Sequence, residues 1–222
     1  MSDPAPILKL IRDTEAQGAA KTQGVPDAYG VVWGGIRAAD RPQVKLGKAL
    51  TDLTVAQVLA WQDSIDARYQ SEAAGGYQIM EDTLRALGVP GSMRFDPAGQ
   101  DACAMVLLNR RGWSNLLAGK ITKARFADNI AREWASFPVT SDQKGASRTV
   151  KAGQSYYAGD GLNHALVEVS TVMGAIADSL GAAPAPTPTP DADAMIAALV
   201  EWRSRAPADF AATLDWLRSM PA

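Results

Sequence analysis

Apolar positions recur at helical spacing through most of this chain. Ile7, Leu8 and Ile11 share one face of a helix. Asp3-Pro4 opens it, as an N-cap followed by proline at the first helical position. Steps of four from 7 and 11 put Glu15 on the same face. Further on, Thr54 and Gln57 have the spacing of a capping box, and Val58, Leu59, Trp61, Ile65 and Tyr69 follow as core candidates. Ile79 to Leu87 predicts a short helix closed by Gly88, with Pro90 beyond. Asp96-Pro97 opens another, through Ala102, Met105, Val106 and Leu108 to Arg110-Arg111-Gly112. Cys103 within it reads as a buried, inert thiol. Thr122 starts a helix with Phe126, Ile130 and Trp134 at steps of four, ended by Trp134-Ala-Ser-Phe-Pro138. Leu162, Leu166, Val169, Met173, Ile176 and Leu180 form the last long stripe, and His164 falls off it, in solvent.

Other stretches break this period. Tyr29-Gly-Val-Val-Trp-Gly-Gly35 alternates like a short strand that ends in a glycine turn, so residues 29–50 read as a small β-hairpin or lobe. Residues 139–161 are polar and glycine-rich, a loop long enough to suggest a function, and carry Tyr156-Tyr157. Ala182-Ala-Pro-Ala-Pro-Thr-Pro-Thr-Pro190 reads as an extended, semi-rigid spacer. Beyond it, Met195, Ile196, Leu199 and Trp202, then Phe210, Leu214, Trp216 and Leu217, predict two short helices split at Pro207. The expected fold class is α+β, mainly α, with a small β-lobe. The expected domains are 1–182, a Pro-rich linker at 183–190, and a helical C-terminal segment at 191–222, too short to bury much core alone.

Composition narrows the function classes. Of the 222 residues 47% are hydrophobic and 21% charged, as in a globular protein. A net charge of -2 argues against a broadly basic nucleic-acid binder. One cysteine and one histidine leave no intrachain disulfide and no zinc site built from several such ligands, so no metal and no cofactor is expected. No stretch has the roughly 20 apolar residues of a membrane span. Met1-Ser-Asp-Pro-Ala-Pro lacks the basic start and apolar run of a secretory signal.

Candidate chemistry falls on two stretches. A carboxylate that continues a buried stripe is costly to ionise, which raises its pKa toward what a general acid needs. Glu15 is such a residue if its helix reaches that far. The alternative is a solvated glutamate at a frayed end before Gly18. In Ser71-Glu-Ala-Ala-Gly-Gly-Tyr-Gln-Ile-Met80, Gly75-Gly76 leaves backbone bare for the approach of a polymer ligand. Tyr77 and Gln78 add a flat ring and a two-sided amide. The alternative is a loop-to-helix junction that the glycines merely turn. Trp33 is either a sugar platform or a core residue. Asp13 lies off the Glu15 face, and Asp27, Asp40 and Glu72 sit in loops, so no second carboxyl pairs with Glu15 by spacing.

Taken in order, these segments resemble the bacteriophage lambda lysozyme family of phage muramidases, glycoside hydrolase family 104. Glu15 stands in Asp-Thr-Glu-Ala, where that family has its acid. Tyr29-x-Val-x-Trp-Gly-Gly, Ala74-Gly-Gly-Tyr-Gln-Ile, Phe95-Asp-Pro-x-x-Gln-Asp101, Arg111-Gly112 and Trp134-Ala-Ser-Phe-Pro138 follow in the family's order, over residues 7 to about 180. Gly76 stands where arginine is usual, the segment between Gly35 and Ser71 is longer, and the tail after Ala182 has no counterpart. The resemblance implies a lysozyme-like fold and peptidoglycan glycan strands as substrate. It implies cleavage between N-acetylmuramic acid and N-acetylglucosamine by a lytic transglycosylase with Glu15 as the single catalytic acid. Tyr29, Ser71, Gly75, Gly76, Tyr77, Gln78 and Tyr156 or Tyr157 would bind substrate around it. A hydrolytic lysozyme, or a virion-associated structural or peptidoglycan-binding protein without turnover, are the alternatives. The spacer and helical tail suit phage tail proteins as partners of 191–222. The protein would be made in the host cytoplasm and act in the periplasm after release, or act as a virion component.

Overall fold

The helix that carries Glu15 runs well past its expected end. In a computed structural model that describes residues 2–161 and 163–181, α1 (Ala5–Arg12) passes into a π-helical turn, Asp13–Gln17, and then into α2 (Gly18–Gln23). Gly18 is helical, and the chain stops only at Gly24 in the left-handed conformation. Glu15 is therefore mid-helix, not at a frayed terminus. The π turn inserts one extra residue, and the buried stripe steps accordingly: Ile7, Ile11, then Ala16 and Ala20. The stripe thus skips Glu15 and leaves it on the flank of the core face.

Seven further helices follow: α3 (Pro42–Lys45), α4 (Val55–Asp63), α5 (Glu81–Leu87), α6 (Pro97–Arg110), α7 (Trp113–Leu117), α8 (Lys123–Ile130) and α9 (Val169–Leu180). Their ends sit where local chemistry sets them. Thr54 and Gln57 form both halves of a capping box. Asp96 accepts from the Gly99 N–H at the start of α6, and Thr122 from the Arg125 N–H at the start of α8. Gly88 closes α5 at φ 67°. α9 packs along α1 and α8, and the Ser179 hydroxyl accepts from the Ile7 N–H. Trp61, Phe95, Phe126 and Phe137 fill the core, with Cys103 buried among them. Burial pushes that thiol up to about 12, so it is inert at neutral pH.

The architecture is α+β and mainly α, but its strands lie elsewhere than expected. Residues 29–50 form no hairpin. Val31 and Val32 are both buried, so the stretch does not alternate, and Val32 makes a single antiparallel bridge to Ala74. Pro42 then starts α3 where a return strand would have to run. Among the described residues the strand pair is β1 (Gln143–Lys144) with β2 (Thr149–Val150), inside the 139–161 loop. The last helix also begins later than its apolar stripe predicts. Leu166 is 60% exposed, its N–H donates to the Ser136 carbonyl, and Glu168 is the N-cap. His164 is exposed.

The chain divides into two units, Met1–Ala182 and Ala183–Ala222. The second lies outside the described residues, and with it the expected linker at 183–190 and helices at 191–222. Among the described residues no helix is long and apolar enough to cross a membrane.

Candidate active site

A groove of about 340 Å³ opens on the flank of the π turn. Glu15 and Ala19 form one side, and Val31, Val32, Trp33 and Gly34 a second. Ser71, Ala73, Gln78 and Met80 form a third, and Glu133, Trp134, Ala135 and Asn163 the last. Its walls are held by backbone pairing. The Trp33 N–H donates to the Ala73 carbonyl and the Gly75 N–H to the Val31 carbonyl. The Gln23 amide grips both polar groups of the Val32 backbone, which ties α2 to the same wall. The Trp33 indole lies over Gly35, where an added Cβ would stand about 2.0 Å from the ring. The turn needs Gly35 for that close approach.

Glu15 is crowded by protein at this groove. The Ser136 hydroxyl donates to its Oε1, and among the described residues no cation pairs with it. Burial raises its pKa above the ordinary carboxyl range, and the hydroxyl and backbone of Ser136 oppose this less strongly. The outcome is a carboxyl that stays protonated at higher pH than usual and faces a groove.

Of the other expected residues, Ser71 and Gln78 share the groove with Glu15. The Ser71 hydroxyl accepts from the Ala73 N–H and contacts the Met80 sulfur at 3.3 Å. Among the described residues Gln78 is the non-glycine residue with positive φ, 47°, and its side-chain amide donates to the Gly75 carbonyl. A strained backbone at a groove wall is a mark of function.

Tyr29, Gly75, Gly76 and Tyr77 belong to the layer behind the groove rather than its wall. Tyr77 is 1% exposed. Its hydroxyl donates to Asp101 at 2.5 Å and accepts from Arg12 at 2.6 Å. The Tyr29 hydroxyl donates to the same Asp101 oxygen at 2.9 Å, and the Arg12 guanidinium lies 5.0 Å from the Tyr29 ring centre. Burial and the Asp101 acceptor push the Tyr29 hydroxyl up to about 12, so it remains a donor. Tyr29 faces a separate cavity with Lys9, Arg12 and Asp13. The paired glycines are buried, and what approaches their backbone is Gln100. Its Oε1 accepts from the Gly76 N–H at 2.8 Å, and a Cβ on Gly75 would lie 2.2 Å from that oxygen. The bare backbone thus admits an internal amide where a polymer was expected. Tyr156 is half-buried and packs edge-on against Tyr157, with Arg132 over its ring at 5.1 Å. It does not contribute to the groove lining.

Several residues here escape sequence reasoning. Ser136, Gln100 and Asp101 sit inside quoted motifs, and that was the only signal they gave. Glu133 and Asn163 had none. Among the described residues no group of three or more His, Cys, Asp or Glu could hold a metal ion.

No curated protein and no solved structure matches this chain. The sequence model of one family, Endolysin, matches residues 6–162 and so covers every residue of the groove except Asn163. That span, well over half of the chain, carries the buried acid and the walls that face it, and the chain belongs to the Endolysin family, phage enzymes that degrade peptidoglycan.

Proposed function

We propose that this endolysin cleaves the bond between N-acetylmuramic acid and N-acetylglucosamine with Glu15 as its acid, on a lysozyme-like fold. The observation that carries this reading is a carboxyl whose pKa burial raises, unpaired with any described cation and held by Ser136 at an open groove. A general acid must hold a proton at working pH and reach the leaving oxygen. Glu15 gives its proton to the bridging oxygen, the muramic C1–O bond breaks, and the released sugar leaves with a hydroxyl. The Glu15 carboxylate then takes the proton of the muramic C6 hydroxyl as that oxygen bonds to C1. The product is a 1,6-anhydro ring, no water is consumed, and Glu15 ends as it began. Proximity within one sugar replaces an activated water. Trp33 offers a flat face and Gln78 an amide for the sugar.

The experiment is mass analysis of muropeptides released from purified peptidoglycan. Anhydro ends, lighter by one water than reducing ends, are the expected product. Reducing ends would replace internal attack with hydrolysis by the same acid. That second reading is favoured by one feature, a second carboxylate, Glu133, on the groove. No release at all would leave only a binding role. The action is placed in the periplasm, where the glycan lies.

The pH dependence follows from the direction of the Glu15 shift. The first step needs the protonated form, so turnover holds above the ordinary carboxyl range and falls as pH climbs through the raised pKa. A kcat–pH profile on soluble glycan fragments checks this. An alkaline limb at the pKa of an ordinary glutamate would remove Glu15 from the acid role.

A further inference from the structure

Breaking a glycosidic bond leaves positive charge on the sugar ring, at C1 and the ring oxygen. A neutral Glu15 supplies a proton but nothing to offset that charge. Glycosidases place a second, ionised carboxyl near the ring for this purpose, or use it to attack or activate water. Spacing along the sequence pairs no second carboxyl with Glu15. The fold brings one to the same groove: Glu15 and Glu133 are the two acidic residues on its lining, and Glu133 also borders a neighbouring cavity with Arg111.

Their surroundings differ in sign. Glu15 has a hydroxyl donor and no described cation. Glu133 Oε2 accepts from Arg111 Nε at 2.6 Å, and its side chain is 14% exposed. Arg111 is itself fixed. It caps α6, its N–H donates to the Leu107 carbonyl at 3.0 Å, and its own carbonyl accepts from the Asn129 amide at 3.0 Å. A guanidinium held this way limits where its partner carboxylate can swing. Two carboxyls in one site, one without a described cation and one paired with arginine, is an arrangement that can divide acid and charge-stabilising roles.

The chain path keeps them close. Glu133, Trp134 and Ala135 line the groove, and the next residue, Ser136, bonds Glu15. Three residues span at most about 10 Å of backbone. The segment is also rigid: the Glu133 and Trp134 N–H groups both donate to the Ile130 carbonyl, and the indole N–H of Trp134 donates to the Tyr77 carbonyl.

We propose that Glu133, paired with Arg111, is the second carboxylate of this site and stabilises the cationic ring as the glycosidic bond breaks. The proposal rests on the glycan-cleaving reading above. It holds for internal or water attack, because the charge on the ring arises in both.

The test compares the full chain with Glu133→Gln, Glu133→Ala and Glu15→Gln on soluble glycan fragments, with melting curves alongside. Glu133→Gln is expected to lose about a hundredfold in kcat with KM within threefold, the size typical for removal of one preorganised charge-stabilising group. Added formate is expected to restore part of the turnover of Glu133→Ala, since it returns a carboxylate to the gap. A residue that serves only to neutralise Arg111 would move the melting temperature and show neither effect. If losing the charge unfolds the chain by stranding Arg111, the double variant Arg111→Met with Glu133→Gln removes both partners, and it must still lose about a hundredfold in kcat. Turnover of folded Glu133→Gln, or of the double variant, within threefold of the parent overturns the proposal. Failure of the glycan-cleaving reading has a different signature, a parent chain that releases nothing from the glycan.

Discussion

Glu15→Gln is expected to abolish glycan cleavage while leaving the chain folded and somewhat more stable at neutral pH. One general acid typically contributes 10²–10⁴-fold, and the proposed mechanism uses Glu15 in both steps, so a loss of about 10³-fold or more in kcat is expected. Glutamine keeps the size of the side chain and an oxygen to accept from the Ser136 hydroxyl. It lacks the proton to give. The stability side follows by linkage. The folded chain holds the Glu15 proton more tightly than the unfolded chain, because burial raises the pKa. Between the ordinary carboxyl pKa and the raised one, the folded state binds more protons, so stability falls as pH rises through that window. The amide variant has no such slope. Muropeptide release measured beside melting temperatures from mildly acidic to neutral pH checks both halves. A folded variant that turns over within tenfold of the parent would remove Glu15 from the chemistry. A variant that unfolds at neutral pH would show instead that the carboxyl is structural.

The largest stability effect is expected at Gln100. This side chain is fully buried and joins three loops. Its oxygen accepts from the Gly76 N–H, and its Nε2 donates to the Tyr29 carbonyl at 3.0 Å and the Phe95 carbonyl at 2.8 Å. Gln100→Ala strands these backbone groups in the interior and leaves a void beside Gly75. An unsatisfied buried group costs about 1–3 kcal/mol, and the void adds to that. A total near 4 kcal/mol is a large fraction of the stability of a domain of this size. Urea unfolding should show a lower midpoint with an unchanged slope. The loop that carries Gln78 to the groove then loses its anchor, so activity falls even in the folded fraction. A midpoint shift worth less than about 1 kcal/mol would mean that water or a rearranged loop replaces the amide.

Comparing sequence with structure, the helix ends were readable because caps are local. Thr54 with Gln57, Asp96 with Pro97, Thr122 and Gly88 each act within a few residues, and each is found in place. Glu15 was singled out by its step of four from Ile11, but the π turn passes the core stripe to Ala16 and leaves Glu15 at the groove. Strand pairing was not readable. Val32 bridges to Ala74, a partner 42 residues away that no local pattern names. Leu166 matched the period of the last helix, but its N–H goes to Ser136, and the helix starts after it.

By itself the sequence determined the mainly helical class and most helix boundaries, and it singled out Glu15 as a candidate. Those follow from short-range rules: caps and periodicity. Only the tertiary structure decided that a π turn shifts the core stripe from Glu15 to Ala16. It alone set Ser136 against the acid, sent Tyr29 and Tyr77 to Asp101, and filled the glycine gap with Gln100. The Ser136, Asp101 and Gln100 contacts each join residues tens of positions apart. Such pairs are chosen by which buried polar groups can satisfy one another, and that depends on the packed whole rather than on any one stretch.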